Sequence, residues 1–211
     1  WEYTEDREGV RTLTIAGTGA IPNYSNENRP PWYNHLSGDN GKQIKVVIQP
    51  GITQIGTYAF AQGYVSSYEL PDTLTKIDER AFVYNRSLRS ITIPGSVKEI
   101  GSRCFEGSTG ISEFVLEEGV ETLGVNIFTK AQIQTLSLPS TLKSVNGGFG
   151  ALDHLESIEV AEGNDSFKVV DGVLFQKQTE DTWALLTYPA CRQGISYEVP
   201  EEIEEMKVTN I

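Results

Sequence analysis

An apolar frame recurs through the middle of this chain at intervals of 22 to 23 residues. One position of the frame is apolar in six consecutive units: Val46, Tyr68, Ile91, Phe114, Leu136 and Ile158. Another position is phenylalanine in five units: Phe60, Phe82, Phe105, Phe128 and Phe149. A unit this short cannot bury its apolar side chains alone, whereas stacked units bury them against each other. The frame therefore predicts a repeat solenoid with one continuous stack of phenylalanine rings inside it.

The unit Leu88–Phe105 shows how each coil is expected to run. The alternation from Ile91 to Ile93 has the period of two that is typical of a half-buried strand. Pro94 has no amide N–H to donate, so it is expected to end this strand and turn the chain. The next apolar positions lie three residues apart and are expected to face inward across a second extended or loosely helical side. The pattern predicts a right-handed coil with short parallel strands.

The two ends depart from the frame, as the caps of a solenoid must. Residues 1–40 are expected to form an N-terminal cap, with a capping hairpin around Thr12–Ile15 and an aromatic loop at Trp32. Residues 41–160 hold the repeats, with units starting near residues 43, 65, 88, 111, 133 and 155. Residues 161–211 contain a hairpin insertion at Asp171-Gly172, followed by a partial final repeat. Because no Ser- or Pro-rich linker divides the chain, one structural domain is expected overall.

Composition narrows the class of partner. The 211 residues carry a formal net charge of −12, which argues against nucleic acid because phosphate binding needs clustered Lys and Arg. No stretch approaches the apolar length that a membrane span requires, so no membrane insertion is expected. The chain begins at Trp1 without an initiator Met or a signal segment, which favours a processed, secreted domain. Cys104 and Cys191 are expected to be unpaired thiols.

Three parts of the chain together resemble the BspA-type leucine-rich repeat proteins. They are the unit Leu88–Phe105, the opening Leu13–Pro22 with Pro31–Tyr33, and the ending Val170–Phe175 with Tyr188–Ala190. The resemblance implies a leucine-rich-repeat solenoid that is secreted or exposed on the surface of a host-associated bacterium. It also implies adhesion to host matrix proteins or other cells. No catalytic residues are known to accompany the repeat, so the resemblance implies no enzyme.

The residues themselves also argue against catalysis. His35 and His154 are the only imidazoles, and each lies among ordinary loop residues without a nucleophile motif. No spacing typical of a metal site occurs, so neither a metal nor a cofactor is expected. Gly17-Thr18-Gly19 lacks the third glycine of a dinucleotide-binding loop and is interpreted as a turn.

The outward positions of the short strands are the predicted ligand-binding site, because repeat proteins commonly bind through an aligned concave strip. The six positions are Val47, Glu69, Thr92, Val115, Ser137 and Glu159. The strip measures roughly 29 by 10 Å, or about 290 Å², from ordinary strand spacings. A standard interface uses about 800 Å² per partner, so a folded partner would also need the adjoining turns.

Three functions follow from these observations. The leading hypothesis is a non-enzymatic binding or adhesion module whose partner is a protein of the host extracellular matrix or of another cell surface. The second is a structural spacer that displays another domain of a longer surface protein, which the absence of Trp, Tyr and Arg from the strip favours. A hydrolase is the least favoured. The turns around Tyr84, Gly107 and His154 are the alternative binding face.

Overall fold

A computed structural model describes residues 1–37, 43–191, 197–204 and 206–209. Its first elements are β1 (Glu2–Glu5), β2 (Arg11–Ile15), β3 (Gly19–Ile21) and the short helix α1 (Tyr33–Leu36). β1 and β2 form the expected antiparallel capping hairpin, with Tyr3 opposite Leu13. β2 then pairs in parallel with the first repeat strand, so the cap also supplies the first strand of the stack. The boundary predicted between residues 40 and 41 lies outside the described residues.

The repeats alternate a longer strand with a shorter one. These strands are β4 (Ile44–Ile48), β5 (Ile52–Ile55), β6 (Ser67–Glu69), β7 (Lys76–Ile77), β8 (Ser90–Ile93), β9 (Glu99–Ile100), β10 (Glu113–Leu116), β11 (Thr122–Leu123), β12 (Thr135–Leu138), β13 (Ser144–Val145) and β14 (Ser157–Val160). β8 ends at Ile93, directly before Pro94, as the missing proline N–H predicts. The predicted parallel-strand solenoid is therefore confirmed.

Each coil has three sides. The longer strands, β2 and the even-numbered strands from β4 to β14, form the first side, which we call the strand face. It has seven strands within the described residues, one more than the six predicted units, because β2 of the cap joins it. The shorter strands form one continuous parallel sheet in the order β13-β11-β9-β7-β5-β3. The second side, predicted to be extended or loosely helical, is thus extended.

The third side is a turn that holds the phenylalanine and bonds to the next coil without forming a strand. The backbone N–H of Phe60 donates to the carbonyl of Ala81 at 2.9 Å, and that of Phe82 donates to Cys104 at 3.0 Å. Because each turn is bonded to the next, the phenylalanine side chains are stacked in register. This bonding satisfies backbone groups that would otherwise be buried without partners.

The predicted phenylalanine stack is confirmed. Its five rings, those of Phe60, Phe82, Phe105, Phe128 and Phe149, are all almost fully buried. Successive ring centroids are 5.7, 5.2, 6.1 and 6.5 Å apart, with interplanar angles no larger than 20°. Trp32 of the cap stacks on Phe60 at 5.7 Å and donates its indole N–H to the carbonyl of Ala59. The aromatic loop therefore closes the N-terminal end of the stack.

The C-terminal segment leaves the stack and forms its own sheet. Its strands are β15 (Phe167–Val170), β16 (Val173–Thr179), β17 (Thr182–Thr187), β18 (Glu202–Ile203) and β19 (Met206–Thr209). β15 and β16 form the predicted hairpin, with positive φ at both Asp171 and Gly172. Ile203 and Met206 lie in the segment that was expected to form a partial final repeat, and they pair with each other in β18 and β19. The three segment boundaries and the single domain remain a prediction.

Asn164 connects the last coil to this sheet. Its amide nitrogen donates to the carbonyls of Pro139 and Leu142, at 2.8 and 3.1 Å. Its amide oxygen accepts the backbone N–H groups of Ser166 and Phe167, at 2.8 and 2.9 Å. All the polar groups of this buried side chain are therefore used to fix the chain at the point where it enters β15.

In the described residues, no helix is long and apolar enough to cross a membrane.

Candidate functional site

The six predicted site residues all point away from the core. Each lies between sequence neighbours that are buried or half-buried, while the residue itself is exposed, or half-buried in the case of Val47. Their positions are Val47 in β4, Glu69 in β6, Thr92 in β8, Val115 in β10, Ser137 in β12 and Glu159 in β14. The strand face thus presents these residues to solvent.

The structure brings the six residues together in three pairs. Val47 is in register with Glu69, Thr92 with Val115, and Ser137 with Glu159. Among the described strands, no ladder joins β6 to β8 or β10 to β12. The predicted strip is therefore interrupted twice.

The interruptions coincide with aromatic residues on the inner side of the strand face. The strand before each break carries Tyr68 or Phe114 at the position that is Val, Ile or Leu in the other repeats. The Phe114 ring lies edge-on against Phe105 and Phe128, at 5.4 and 4.4 Å between centroids. A ring occupies more space than a branched aliphatic side chain, so these two coils must accommodate extra bulk beside the phenylalanine stack.

Tyr68 makes the same edge-on contacts with the phenylalanine stack and carries a polar group inside it. Its hydroxyl donates to the Asn85 amide oxygen at 2.7 Å. Burial raises the pKa of the Tyr68 phenol well above its ordinary value, although the Asn85 hydrogen bond opposes the shift. Tyr68 is therefore neutral throughout the ordinary pH range and acts as a structural donor.

A cleft of about 370 Å³ lies at the second interruption. Its lining residues come from β10, β12 and the residues just before them: Ser112, Glu113, Phe114, Val115, Leu116, Gln134, Thr135 and Ser137. Val115 is 39% exposed, which makes it the main apolar contact offered by the strand face. The cleft combines this side chain with hydroxyl and amide groups and can accept a short extended or irregular segment of a partner.

The charges of the strand face are partly compensated. Lys45 forms an ion pair with Glu69 on the neighbouring strand. The Ser137 hydroxyl donates to the Glu159 carboxylate at 3.3 Å, and the hydroxyls of Thr135 and Ser157 are 3.0 Å apart. An exposed ion pair contributes only about 0–1 kcal/mol, so Glu69 can exchange Lys45 for a partner's cation at little cost.

The second side also carries charged residues, and several of them form ion pairs with each other. Lys76 lies 3.3 Å from Glu99, and Glu121 lies between Lys143 and Lys98, at 2.6 and 3.7 Å. The hydrogen bond from Lys143 and its charge, together with Lys98, lower the pKa of the Glu121 carboxyl. The hydrogen bond to Glu99 raises the pKa of Lys76. These internal pairs compete with a ligand for the same charges.

Neither histidine belongs to a catalytic arrangement in the described part of the chain. His35 is exposed on α1 and contacts the rings of Tyr3 and Trp1, with centroids 4.4 and 5.4 Å away. His154 is exposed in the turn before β14. No hydrogen bond between described residues joins either imidazole to a Ser or Cys side chain, and no cluster of metal-ligating side chains occurs among them.

The two cysteines have opposite environments. Cys104 is fully buried beside the phenylalanine stack, and burial raises the pKa of its thiol well above the ordinary value. Cys191 is exposed and donates to the Asp153 carbonyl at 3.1 Å. A buried neutral thiol is unreactive, because the thiolate is the nucleophile.

We therefore expect one thiol to react with Ellman's reagent in the folded protein and a second to react only after unfolding. The measurement is a titration with and without denaturant, with Cys191→Ser as the control that removes the fast phase. Two fast thiols, or none before reduction, would contradict this placement of the cysteines.

The turns of the third side contain residues that the sequence analysis did not single out. The structure brings Tyr33 of α1 together with Tyr64, Tyr84 and Arg86. Of these, Tyr33 was named only within the family resemblance, and Tyr84 only as part of an alternative face. The available signal was that Tyr33, Tyr64 and Tyr84 lie outside the apolar frame, and this did not reveal that they meet.

Comparison with known proteins agrees with this geometry. The profile of the BspA type leucine rich repeat region matches residues 39–170 in six copies, which is more than half of the chain. A search of curated proteins found no match.

Three solved structures share the fold. The pneumococcal vaccine antigen PcpA has a TM-score of 0.70 and 23% identity, over 92% of this chain and 50% of that one. A leucine-rich cell surface protein from Faecalibacterium prausnitzii has a TM-score of 0.66 and 17% identity, over 94% and 62%. A leucine-rich repeat protein from Eubacterium ventriosum has a TM-score of 0.59 and 23% identity, over 91% and 49%. At these identities the likeness is one of fold, and the chain spans less than two thirds of each protein.

Proposed function

Because the chain belongs to the BspA-type leucine-rich repeat family, we propose that it is a secreted or cell-surface binding module without enzymatic activity. Its partner is a protein of the host extracellular matrix or of another cell surface. The location is supported by the Faecalibacterium prausnitzii neighbour, which is described as a cell surface protein. It needs no cofactor for this role.

The strand face carries this proposal. Its inner residues pack in the core. The six predicted contact residues lie outside the core, so core packing does not restrict which side chains they carry. They are Val47, Glu69, Thr92, Val115, Ser137 and Glu159. Alignment on parallel strands holds each pair at a fixed separation, so little side-chain and loop ordering is needed on binding. The cleft beside Val115 supplies an apolar contact surrounded by polar groups, which is the arrangement of a small interface core and its rim.

Charge reversal on the strand face tests the proposal. Replacing Glu69 and Glu159 with lysine is expected to weaken binding to immobilised basic matrix proteins by about tenfold, because charges at the rim of an interface steer encounter. The salt dependence of binding should decrease as well. The fold should persist because both side chains are exposed. Surface plasmon resonance at several salt concentrations measures both effects.

The matched control reverses the charge at two carboxylates that lie outside the strand face. Glu99 pairs with Lys76 much as Glu69 pairs with Lys45, and Glu180 lies in the turn between β16 and β17. Glu99→Lys/Glu180→Lys makes the same change in net charge and should bind like the parent. Equal losses in both variants would mean that only total charge matters and would reject the strand face.

A structural spacer is the second candidate, because the six predicted contact residues include none of the Trp, Tyr and Arg side chains that dominate most interfaces. A spacer would bind no matrix or cell-surface protein in the same assay. Its substitutions would change only stability.

A further inference from the structure

The third side has a cleft of about 350 Å³ next to the N-terminal cap. We call it the tyrosine cleft, and its lining residues are Tyr33, Ser37, Gln62, Tyr64, Tyr84 and Arg86. Its volume is at the lower end of the range of about 300–1,000 Å³ for small-molecule sites. It lies on a different side of the coil from the strand face, so it is a separate candidate site.

The cap is tied to the repeats at one wall of the tyrosine cleft. The Tyr33 hydroxyl donates to the Gln62 amide oxygen at 3.1 Å, and the Gln62 amide nitrogen donates to Asn26 at 3.2 Å. The Arg29 guanidinium lies over the Tyr33 ring, 4.0 Å from its centroid. A second, smaller depression adjoins this wall and shares Tyr33 and Gln62 with the cleft. The wall is therefore held by contacts on both sides.

The opposite wall is held by a buried asparagine. Asn85 is completely buried, and its amide nitrogen donates to the carbonyls of Phe60 and Phe82 at 2.7 and 2.9 Å. Its own backbone N–H donates to the Ser108 hydroxyl at 3.0 Å. Asn85 separates the two exposed residues that line the cleft, Tyr84 and Arg86. Their backbone is thus fixed in advance, which lowers the entropy lost on binding.

A glycine in the next coil makes room for the Tyr84 ring. Tyr84 has φ of 60°, and the residue at the same position of the next coil is Gly107, with φ of 69°. A Cβ atom added to Gly107 would lie 2.3 Å from the Tyr84 ring, so only glycine allows the ring to rest there. The ring is nevertheless 42% exposed. An aromatic face is therefore held open to solvent at the cleft.

The tyrosine cleft is cationic in an acidic protein. The chain has a formal net charge of −12, yet no Asp or Glu is among the described residues that line the cleft or the adjoining depression. Arg86 lines the cleft and Arg29 lines the depression. Guanidinium groups recognise carboxylates through paired hydrogen bonds. The charge therefore selects an anionic ligand.

We propose that the tyrosine cleft binds a saccharide that carries a carboxylate, such as a sialic or hexuronic acid residue. The tyrosine rings offer flat apolar faces for the C–H face of a sugar ring, and their hydroxyls, with Gln62 and Ser37, offer hydrogen bonds to sugar hydroxyls. Arg86 binds the carboxylate. An apolar peptide anchor suits the cleft less well, because no Leu, Ile, Val or Phe side chain lines it among the described residues.

Isothermal titration calorimetry with defined probes tests the assignment. The anionic probes are sialyllactose and a hyaluronan tetrasaccharide, the neutral probe is lactose, and the peptide probe is hexaglutamate. We expect saturable binding of at least one anionic saccharide and none of lactose, and the two anionic probes distinguish a sialic from a hexuronic acid. Arg86→Gln should weaken that binding by about tenfold or more, because it removes a charge-assisted pair.

Two further variants distinguish binding in the tyrosine cleft from a general effect of surface charge or of stability. Arg103→Gln removes an exposed arginine elsewhere on the third side and should leave saccharide binding unchanged. Tyr84→Asn removes the ring but tolerates the left-handed backbone, so it should weaken binding while the melting temperature stays close to that of the parent. Binding of neither anionic saccharide, equal binding of lactose, preference for hexaglutamate, or an Arg86→Gln variant that binds normally would each overturn the proposal. Because none of these residues lies on the strand face, failure here leaves the proposed protein-binding role to its own test.

Discussion

Replacing Phe105 with alanine is expected to lower the free energy of unfolding by about 3–5 kcal/mol. The ring is fully buried and stacks between Phe82 and Phe128, at 5.2 and 6.1 Å. Its removal loses the transfer free energy of the ring and leaves a cavity that stacked coils on both sides cannot close. Since natural domains are stable by only about 5–15 kcal/mol, this one side chain accounts for a large share.

Urea denaturation measures the loss, with the exposed Val125→Ala as the control. Val125 should change stability by no more than about 0.5 kcal/mol, as is usual for surface positions. A Phe105→Ala variant that unfolds at the same urea concentration as the parent would show that the ring does not lie in the core.

Replacing Asn85 with alanine is expected to cost about 2–5 kcal/mol, although it removes no large apolar group. The change leaves the Tyr68 hydroxyl and the Phe60 carbonyl without their partners inside the core. Each buried polar group that loses its partner costs about 1–3 kcal/mol. Phe82 is less affected, because its carbonyl also accepts a hydrogen bond from the Ser108 hydroxyl.

A double-mutant cycle identifies the source of this loss. Tyr68→Phe should destabilise the parent but should cost less, or even stabilise, in the Asn85→Ala background, because the orphaned hydroxyl is then removed. Asn146→Ala, at an exposed position, is the control. Strictly additive losses in the cycle would mean that the Tyr68–Asn85 hydrogen bond contributes nothing.

The repeat architecture could be predicted because the same local sequence pattern occurs in every repeat. Each coil repeats the same apolar positions, so one rule for burying side chains fixes the strands, the proline-terminated turns and the phenylalanine stack together. Asp171-Gly172 predicted the C-terminal hairpin for a similar reason, since its backbone preference belongs to the two residues themselves. These features require no knowledge of distant contacts.

The interruptions of the strand face could not be predicted, because they depend on how bulky residues pack between coils. Tyr68 and Phe114 fit the apolar frame as well as Ile91 does. The spacing of apolar positions shows which side chains are buried, but it does not show how much space each one needs. The pairing of Ile203 with Met206 could not be predicted for a related reason. They fit the repeat pattern, yet they pair within the C-terminal sheet.

The candidate sites differ in the same way. The outward orientation of the six strand-face residues could be predicted from the sequence, because alternation on a strand assigns each residue to one side. The tyrosine cleft could not be predicted from the sequence, because Tyr33 belongs to the cap whereas Tyr64, Tyr84 and Arg86 belong to turns of the repeats. Only the folded chain shows that they meet. The role of Asn85 was equally hidden, because its partners lie on separate coils.

The strand face as a protein-binding surface is tested most directly by site-specific photo-crosslinking at two matched valines. Val115 on the strand face is 39% exposed, and Val125 on a turn outside it is 37% exposed. With benzophenone introduced at one site or the other and a solubilised extracellular-matrix preparation as the probe, we expect adducts at position 115 and not at 125. The adducts should disappear with excess unlabelled protein and in the Glu69→Lys/Glu159→Lys background. Equal adducts at both positions, or adducts at 125 alone, would contradict the strand face as the binding surface.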